Sequence, residues 1–273
     1  MTAAGSSQVT YHTLKNGLLA ATVLAMFQAG PDRVQAQEVT EETSKQVWGN
    51  FITAFPQSEK LYLEADTELA KQVSGGGDDW GYVYGTGLVE YYPDEWLDLT
   101  GEAVVGFTRQ NNSEDSWETT LRLGLRVHFL RQILRSTFME RIRKERMSGN
   151  RLSVANLARF EYRNFRYSGD VPNSSDWRFR NRLESKFALN RDDLGEDGVW
   201  YLIGDIEWFV PMDDTQAPQR FATKRRVRIG LGYRQRFRWR LSVLLMAANA
   251  RDTLNGDTEA DARMIDFRVH YFP

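Results

Sequence analysis

The sequence predicts an all-β fold, namely a single up-and-down antiparallel transmembrane β-barrel of about twelve strands, with one short amphipathic helix in a periplasmic connection. Three observations lead to this prediction. Segments of roughly ten to fifteen residues alternate apolar and polar side chains, aromatic residues gather near the segment ends, and longer connections alternate with tight ones. Soluble barrels show the same alternation. Alternation alone therefore does not reveal whether the apolar side of the sheet faces the barrel interior or the outside.

Composition narrows the classes of protein to which the chain can belong. The 273 residues are 41% hydrophobic and 26% charged, which is typical neither of a disordered chain nor of a helical membrane protein. A formal net charge of -2 provides no global attraction for nucleic acid. Because there is no cysteine, disulfide bonds, zinc–thiolate sites and thiol catalysis are excluded.

The N-terminus has the pattern of a secretory signal peptide. Lys15 precedes the apolar run NGLLAATVLAMFQAG, which is too short to span a bilayer, and the small residues Val34 and Ala36 follow it. An ordinary buried helix is the alternative interpretation. The expected divisions of the chain are a cleaved signal peptide at 1–36, an N-terminal segment at 37–45 and the barrel at 46–273.

Eleven later segments have the alternating character of strands and are separated by polar or Gly/Pro-rich breaks. In order they read VWGNFITAF, KLYLEADTELAKQ, GYVYGTGLVEYY, WLDLTGEAVVGFTRQ, ETTLRLGLRVHFL, VANLARFEYRNFRYS, WRFRNRLESKFALN, WYLIGDIEWFVP, KRRVRIGLGYRQRFR, WRLSVLLMAANA and RMIDFRVHYFP. Bacterial single-chain barrels have an even number of strands, so a twelfth is expected. It would come from 38–45, from the 131–155 region, or from one of these segments dividing in two.

Residues 131–147 break the strand pattern and predict the short helix. The apolar residues at helical spacing, opposite a basic face, are Ile133, Leu134, Phe138, Met139 and Ile142. Such a helix could lie at a membrane surface or pack on the barrel end, and an extended strand is the remaining alternative.

The segment KRRVRIGLGYRQRFR shows most clearly that a strand of this chain has one apolar and one charged side. Val227, Ile229 and Leu231 share one side of an extended chain, and the arginines share the other. A soluble barrel turns its apolar side inward, whereas a membrane barrel turns it outward. Polar sides rich in arginine and carboxylate suit multidentate pairing in an enclosed space, so we expect the apolar wall to face lipid.

The same parity argument predicts which charged residues line the lumen. They are Glu64, Asp66, Glu68, Arg122, Arg126, His128, Arg159, Glu161, Arg163, Arg178, Arg180, Arg182, Glu184, Asp205, Glu207, Arg226, Arg228, Arg234, Arg236, Asp266, Arg268 and His270.

Aromatic residues near the strand ends predict contact with both membrane interfaces. They are Trp80, Tyr82, Tyr91, Tyr92, Trp96, Trp117, Tyr167, Trp177, Trp200, Trp208, Trp239 and Tyr271. The last segment alternates apolar residues up to Tyr271, as terminal strands of outer-membrane barrels do, although Pro273 replaces the usual terminal aromatic residue.

Several motifs resemble a family of Gram-negative outer-membrane barrels, domain of unknown function 2490. The similar segments are VWGNF with KLYLEADTEL, then GTGLVEYYPDEWLDLTGEAVVGF, then LARFEYRNFR with WRFRNRLESKF. The last two carry the charged triplets Arg159, Glu161, Arg163 and Arg178, Arg180, Arg182. The resemblance implies a barrel and an outer-membrane location, and it implies no reaction.

The sequence leaves two main functional hypotheses. The charged walls either fill the lumen of a structural barrel or line a narrow channel or binding barrel for a small anionic solute. A lipid-modifying hydrolase and a soluble lipocalin-like periplasmic barrel are the alternatives. His128 and His270 lie on the polar wall, away from arriving acyl chains, so we expect no catalytic residues, and no metal site or cofactor is predicted.

The predicted location and partners follow from the barrel interpretation. We expect the protein in the outer membrane of a Gram-negative bacterium, in contact with outer-membrane lipids and, during biogenesis, with the barrel-assembly machinery. A small anionic solute is the further partner that a channel would require, and no nucleic-acid partner is expected.

Overall fold

The alternating segments fold as β-strands. The structure, a computed structural model, describes residues 43–74, 80–94, 96–110, 114–129, 151–212, 225–236, 238–250 and 260–273. Strands in these ranges are β1 (Ser44–Pro56), β2 (Leu61–Ser74), β3 (Trp80–Asp94), β4 (Leu97–Gln110), β5 (Ser116–His128), β6 (Leu152–Tyr167), β7 (Ser174–Ala188), β8 (Trp200–Pro211), β9 (Arg225–Gln235), β10 (Trp239–Ala250) and β11 (Ala260–Tyr271). They contain 11 to 16 residues each, enough for the roughly 9–11 residues of a tilted membrane-spanning strand.

The strands close into a barrel in chain order. Each pairs antiparallel with the next from β1 to β11, and β1 then pairs parallel with β11, from Ser44 opposite Ala262 to Thr53 opposite Tyr271. The described residues therefore give eleven strands and a mixed closure, which corrects the expected antiparallel barrel of about twelve. An odd number of up-and-down strands leaves the first and last pointing the same way, so their pairing must be parallel.

The two ends of the barrel differ in the connections that they carry. The turn end carries the short connections at 57–60, 95–96 and 236–238, and the C-terminal end of β11. The loop end carries the start of β1 and the connection at 168–173.

Some expected features fall outside the described residues. These are the signal peptide, most of the N-terminal segment and the helix at 131–147. In the part of the chain that the structure does describe, there is no helix long and apolar enough to span a membrane.

The two sides of the sheet differ sharply in polarity. On the outward side, Leu123, Ile229 and Leu245 are 71%, 60% and 59% exposed. On the inward side, the carboxylates of Glu161 and Glu207 are fully buried. The apolar wall therefore faces out of the barrel and the charged wall faces its interior.

Outward-facing aromatic rings form a group near each end. The contacting pairs are Trp200–Tyr233 and Trp239–Tyr271 at the turn end, and Phe107–Trp117 and Tyr162–Trp177 at the loop end, with centroids 4.5 to 4.8 Å apart. Trp80 and Tyr82, which were expected among them, lie in the interior and are only 2% and 4% exposed. The side of these two rings depends on the register of β3, which aromatic character alone does not reveal.

Close approach of β9 to β10 requires glycine at position 230. A Cβ atom added to Gly230 would lie 2.1 Å from the carbonyl oxygen of Val243 and 2.7 Å from Cα of Leu244. Gly230→Ala should therefore lower the free energy of unfolding by about 1–3 kcal/mol, because main-chain atoms cannot move aside as side chains can. Urea unfolding in detergent micelles measures this change.

Gly85→Ala is the matched control, because nothing lies within 4 Å of an added Cβ there. It should be neutral or slightly stabilising, since alanine narrows the unfolded ensemble. Equal effects at the two glycines would contradict the packing argument.

Candidate functional site

The interior of the barrel collects nearly all of the predicted charged residues. Except for Arg236, each lies on the inward side of a strand and is buried or half-buried. Arg236 instead lies in the turn after β9, exposed, with a φ of 50°. Hairpin turns need residues in this left-handed region, so the strand alternation ends at Gln235 and does not extend to Arg236.

Several inward carboxylates were not among the predicted residues. The same alternation of side chains, applied along β3, β4 and the starts of β5 and β7, would have predicted their inward direction from the sequence. They are Glu90, Asp98, Glu102, Glu118 and Asp176, all on the interior side.

Glu161 is held by arginines from two neighbouring strands. Its carboxylate lies 2.9 Å from Nε of Arg122 on β5, and 2.6 and 2.7 Å from the guanidinium nitrogens of Arg178 and Arg180 on β7. Arg178 and Arg180 donate charge-assisted hydrogen bonds to it, whereas Arg122 contributes an ion pair, and its side chain is fully buried among them.

Glu207 on β8 forms a second node of the same kind. Arg180, Arg226 and Arg159 approach its carboxylate to 2.7, 2.5 and 3.1 Å. Arg180 contacts both Glu161 and Glu207, so it joins the two nodes.

Further pairs extend these nodes around the barrel. Arg159 and Arg122 both bind Glu102 of β4, at 2.9 and 3.0 Å. Arg228 binds Asp205 at 2.8 Å. We call the connected set the central network; it comprises Glu102, Arg122, Arg159, Glu161, Arg178, Arg180, Asp205, Glu207, Arg226 and Arg228.

An apolar layer lies in the interior on the loop-end side of this network. Phe209 contacts the guanidinium groups of Arg178 and Arg180, at 5.0 and 4.8 Å from the ring centroid. Phe209 packs in one buried cluster that also contains Trp48 and Tyr82, whose rings meet edge to face at 5.4 Å. Arginine faces stacked on aromatic rings need little water, so this layer can pack directly against the central network.

The interior is more accessible toward the turn end. Side chains of Lys186, Arg126 and Glu64 are 38%, 26% and 21% exposed there, against none for Glu161 and Glu207. We call this region the turn-end vestibule; its half-buried charged groups are Glu64, Asp66, Arg126, Glu184, Lys186 and His270.

Carboxylates of β2 distinguish the vestibule from the central network. Glu64 has Tyr62 and His270 as neighbours, and Glu68 accepts a hydrogen bond from Tyr82. Asp66 makes no ion pair within the described residues, and none of the three carboxylates contacts an arginine or lysine there. The β2 carboxylates therefore make no ion pair with a described arginine or lysine, but Arg126 acts electrostatically on Glu64, and Arg268 acts on Asp66 and Glu68.

A family model described as protein of unknown function (DUF2490) matches residues 45–258, which include nearly all of β1 and every strand through β10. The chain belongs to this family. A search of curated proteins found no match. Among solved structures, the chain is similar to the NanC porin in its rhombohedral crystal form, with 10% identity and a TM-score of 0.39. That alignment covers 82% of this chain and 96% of the porin chain.

Two interior histidines of this DUF2490 chain lie next to acidic groups. His128 Nε2 is 2.6 Å from Asp98 Oδ2, and His270 Nε2 is 3.7 Å from Glu64. Among the described residues, no group of three or more His, Asp or Glu side chains is arranged to hold a metal ion. The family assignment attaches no reaction to these residues.

Proposed function

We propose that the chain is an outer-membrane β-barrel whose interior is filled by paired charges, so that its role is structural or interaction-based rather than that of an open pore. Its apolar outer wall supports membrane placement, because hydrocarbon accepts apolar side chains and a closed sheet leaves no unpaired edge. Bacterial transmembrane β-barrels lie in the outer membrane of Gram-negative cells, and the eleven described strands depart from their usual even number.

A soluble lipocalin-like barrel would need an apolar interior, whereas this interior is charged. Asn156 and Asn181 lie on the outward side of β6 and β7, and their amides exchange hydrogen bonds of 2.9 and 3.1 Å. Asn156 is only 1% exposed, so this pairing satisfies a buried amide that would be costly to leave unpaired.

The observation that carries the closed-barrel proposal is the complete burial of Glu161 and Glu207. Their arginine partners come from β5, β6, β7 and β9, so the contacts extend over half of the barrel wall. The buried ring of Phe209 adds an apolar layer beside them. An ion crossing the barrel would have to break several charge-assisted bonds at once.

Electrical recordings test this proposal. Wild-type protein in planar bilayers should show no steady conductance, because a barrel filled as proposed has no continuous water path. The double variant Glu161→Ala with Arg180→Ala removes one charge of each sign from the network and should show measurable conductance. Steady wild-type currents like those of a general porin would overturn the closed barrel.

A narrow binding barrel is the second candidate, favoured by the turn-end vestibule. Arginine charges in the central network are matched by carboxylates in direct ion pairs, whereas Asp66 makes no ion pair with a described residue and interacts with Arg268 only at longer range. This balance supports a small cationic group there more than the anionic solute suggested by the arginine content. In the recordings above, a steady wild-type current with cation selectivity would support this candidate.

The partners of the proposed barrel follow from its surface. Outer-membrane lipids would contact the apolar wall, and the barrel-assembly machinery would insert the chain. The proposal includes no nucleic acid, because the arginines of the central network are directed into the interior and paired, and the net charge of the chain is negative.

A further inference from the structure

Cationic residues on the outer wall are confined to one end of the barrel. Among outward-facing strand residues whose side chains the structure describes, every cationic one lies at the loop end, whereas the acidic Asp94 lies at the turn end, opposite Leu97. The cationic residues are all exposed, and we call them the loop-end belt: Lys45, Lys71, Arg109, Arg166, Arg225 and Arg263.

The belt differs from the interior in its pairing. Arginines of the central network each contact one or more carboxylates within 4.0 Å. By contrast, the belt residues other than Lys71 make no ion pair with any carboxylate that the structure describes. Five exposed cations therefore have no carboxylate partner among the residues that the structure describes.

The register of β1 and β11 increases this charge concentration. Lys45 lies directly opposite Arg263, so two like charges are neighbours on the same face. Lys71 and Arg109 lie on either side of Gly81, two strand spacings or about 10 Å apart. Like charges directly opposite each other destabilise a sheet unless an anion lies between them.

Belt residues lie at the level of aromatic rings that mark a membrane interface. Arg166 is opposite Trp117, and Arg225 is opposite Trp208. Aromatic side chains at this depth sit among lipid headgroups. Cations at the same depth attract anionic lipids by roughly 1 kcal/mol each.

We propose that the loop-end belt binds the phosphate groups of anionic lipids in the leaflet at the loop end. Guanidinium groups offer paired donors that match phosphate oxygens, and four of the six belt residues are arginine. The proposal rests on the membrane placement proposed above. It concerns lipid headgroups, not a soluble ligand of the interior.

Lipid retention provides the test. Wild-type protein is incubated in detergent with equal amounts of phosphatidylglycerol and phosphatidylcholine, repurified, and its bound lipids are counted by mass spectrometry. Phosphatidylglycerol should exceed phosphatidylcholine by roughly fivefold, the equivalent of about 1 kcal/mol for one contact. A variant with glutamine at five belt positions should bring the ratio close to one; the changes are Lys45→Gln, Arg109→Gln, Arg166→Gln, Arg225→Gln and Arg263→Gln.

A matched variant removes the same charge from the turn end. The five exposed cations that the structure describes there become Lys60→Gln, Arg151→Gln, Arg191→Gln, Arg236→Gln and Arg238→Gln, and this variant should keep the wild-type ratio. Migration on heat-modifiability gels confirms folding of both variants. If the belt variant misfolds, the double variant Lys45→Gln with Arg263→Gln, which relieves like-charge repulsion, should still lower the ratio.

The outcomes separate the belt from the barrel proposal. An unchanged ratio in the belt variant, an equal loss in both five-site variants, or no preference in the wild type would each overturn lipid-phosphate binding by the belt. Retention of neither lipid would overturn the membrane placement itself, and the belt with it.

Discussion

Replacing Glu207 by glutamine should lower the free energy of unfolding by about 3–5 kcal/mol. The substitution keeps the size of the side chain but removes the charge shared by Arg159, Arg180 and Arg226. Those guanidinium groups are almost fully buried, so each would lose a counter-ion where water cannot replace it. Urea unfolding in detergent micelles, followed by tryptophan fluorescence, measures the loss.

Glu59→Gln is the control for this prediction. Glu59 is exposed in the β1–β2 turn and makes no ion pair with the described residues, so the change should stay within about 0.5 kcal/mol. If Glu207→Gln were as mild as Glu59→Gln, the central network would not contribute to stability as its geometry indicates.

Leu245→Arg should lower the stability of the membrane-inserted barrel by about 2–4 kcal/mol. Leu245 is in the middle of β10, with Ile229 opposite it on β9 and Ile265 opposite it on β11. If this apolar patch faces acyl chains, a guanidinium group there must leave water. Unfolding in lipid vesicles, rather than in micelles, gives the bilayer value.

The loss of stability caused by an outward-facing arginine depends on its depth in the bilayer, and this dependence provides a control for Leu245→Arg. Gln235 is exposed at the turn end of β9, so Gln235→Arg should cost only about 0–1 kcal/mol. If the barrel were soluble, arginine on its hydrated outer wall would lower the stability only slightly at either position. A neutral Leu245→Arg variant that stays in solution without detergent would contradict the membrane placement.

Parity within a single strand could be predicted from sequence because it is a local property. Side chains alternate with period two, so Val227 and Ile229 must lie on the side opposite Arg226 and Arg228 wherever the strand is placed. Short motifs on several strands also sufficed to identify the family over 45–258.

Pairing between strands could not be predicted in the same way. Glu207 meets Arg159, 48 residues earlier in the chain, and Asn50 bonds to Asp266, 216 residues later. Such contacts depend on the register of every intervening strand. The sequence therefore does not predict that Glu102 on β4 forms ion pairs with arginines of both β5 and β6.

Sequence by itself determined that the strands of this protein have one apolar and one charged side. It also determined that the charged side is rich in arginine and carboxylate groups. Only the tertiary structure decided that eleven described strands close with β1 parallel to β11, that Trp80 and Tyr82 point inward, and which charges meet. The physical reason is range: alternation is set by neighbouring peptide units, whereas closure and ion pairing depend on strands brought together from distant parts of the chain.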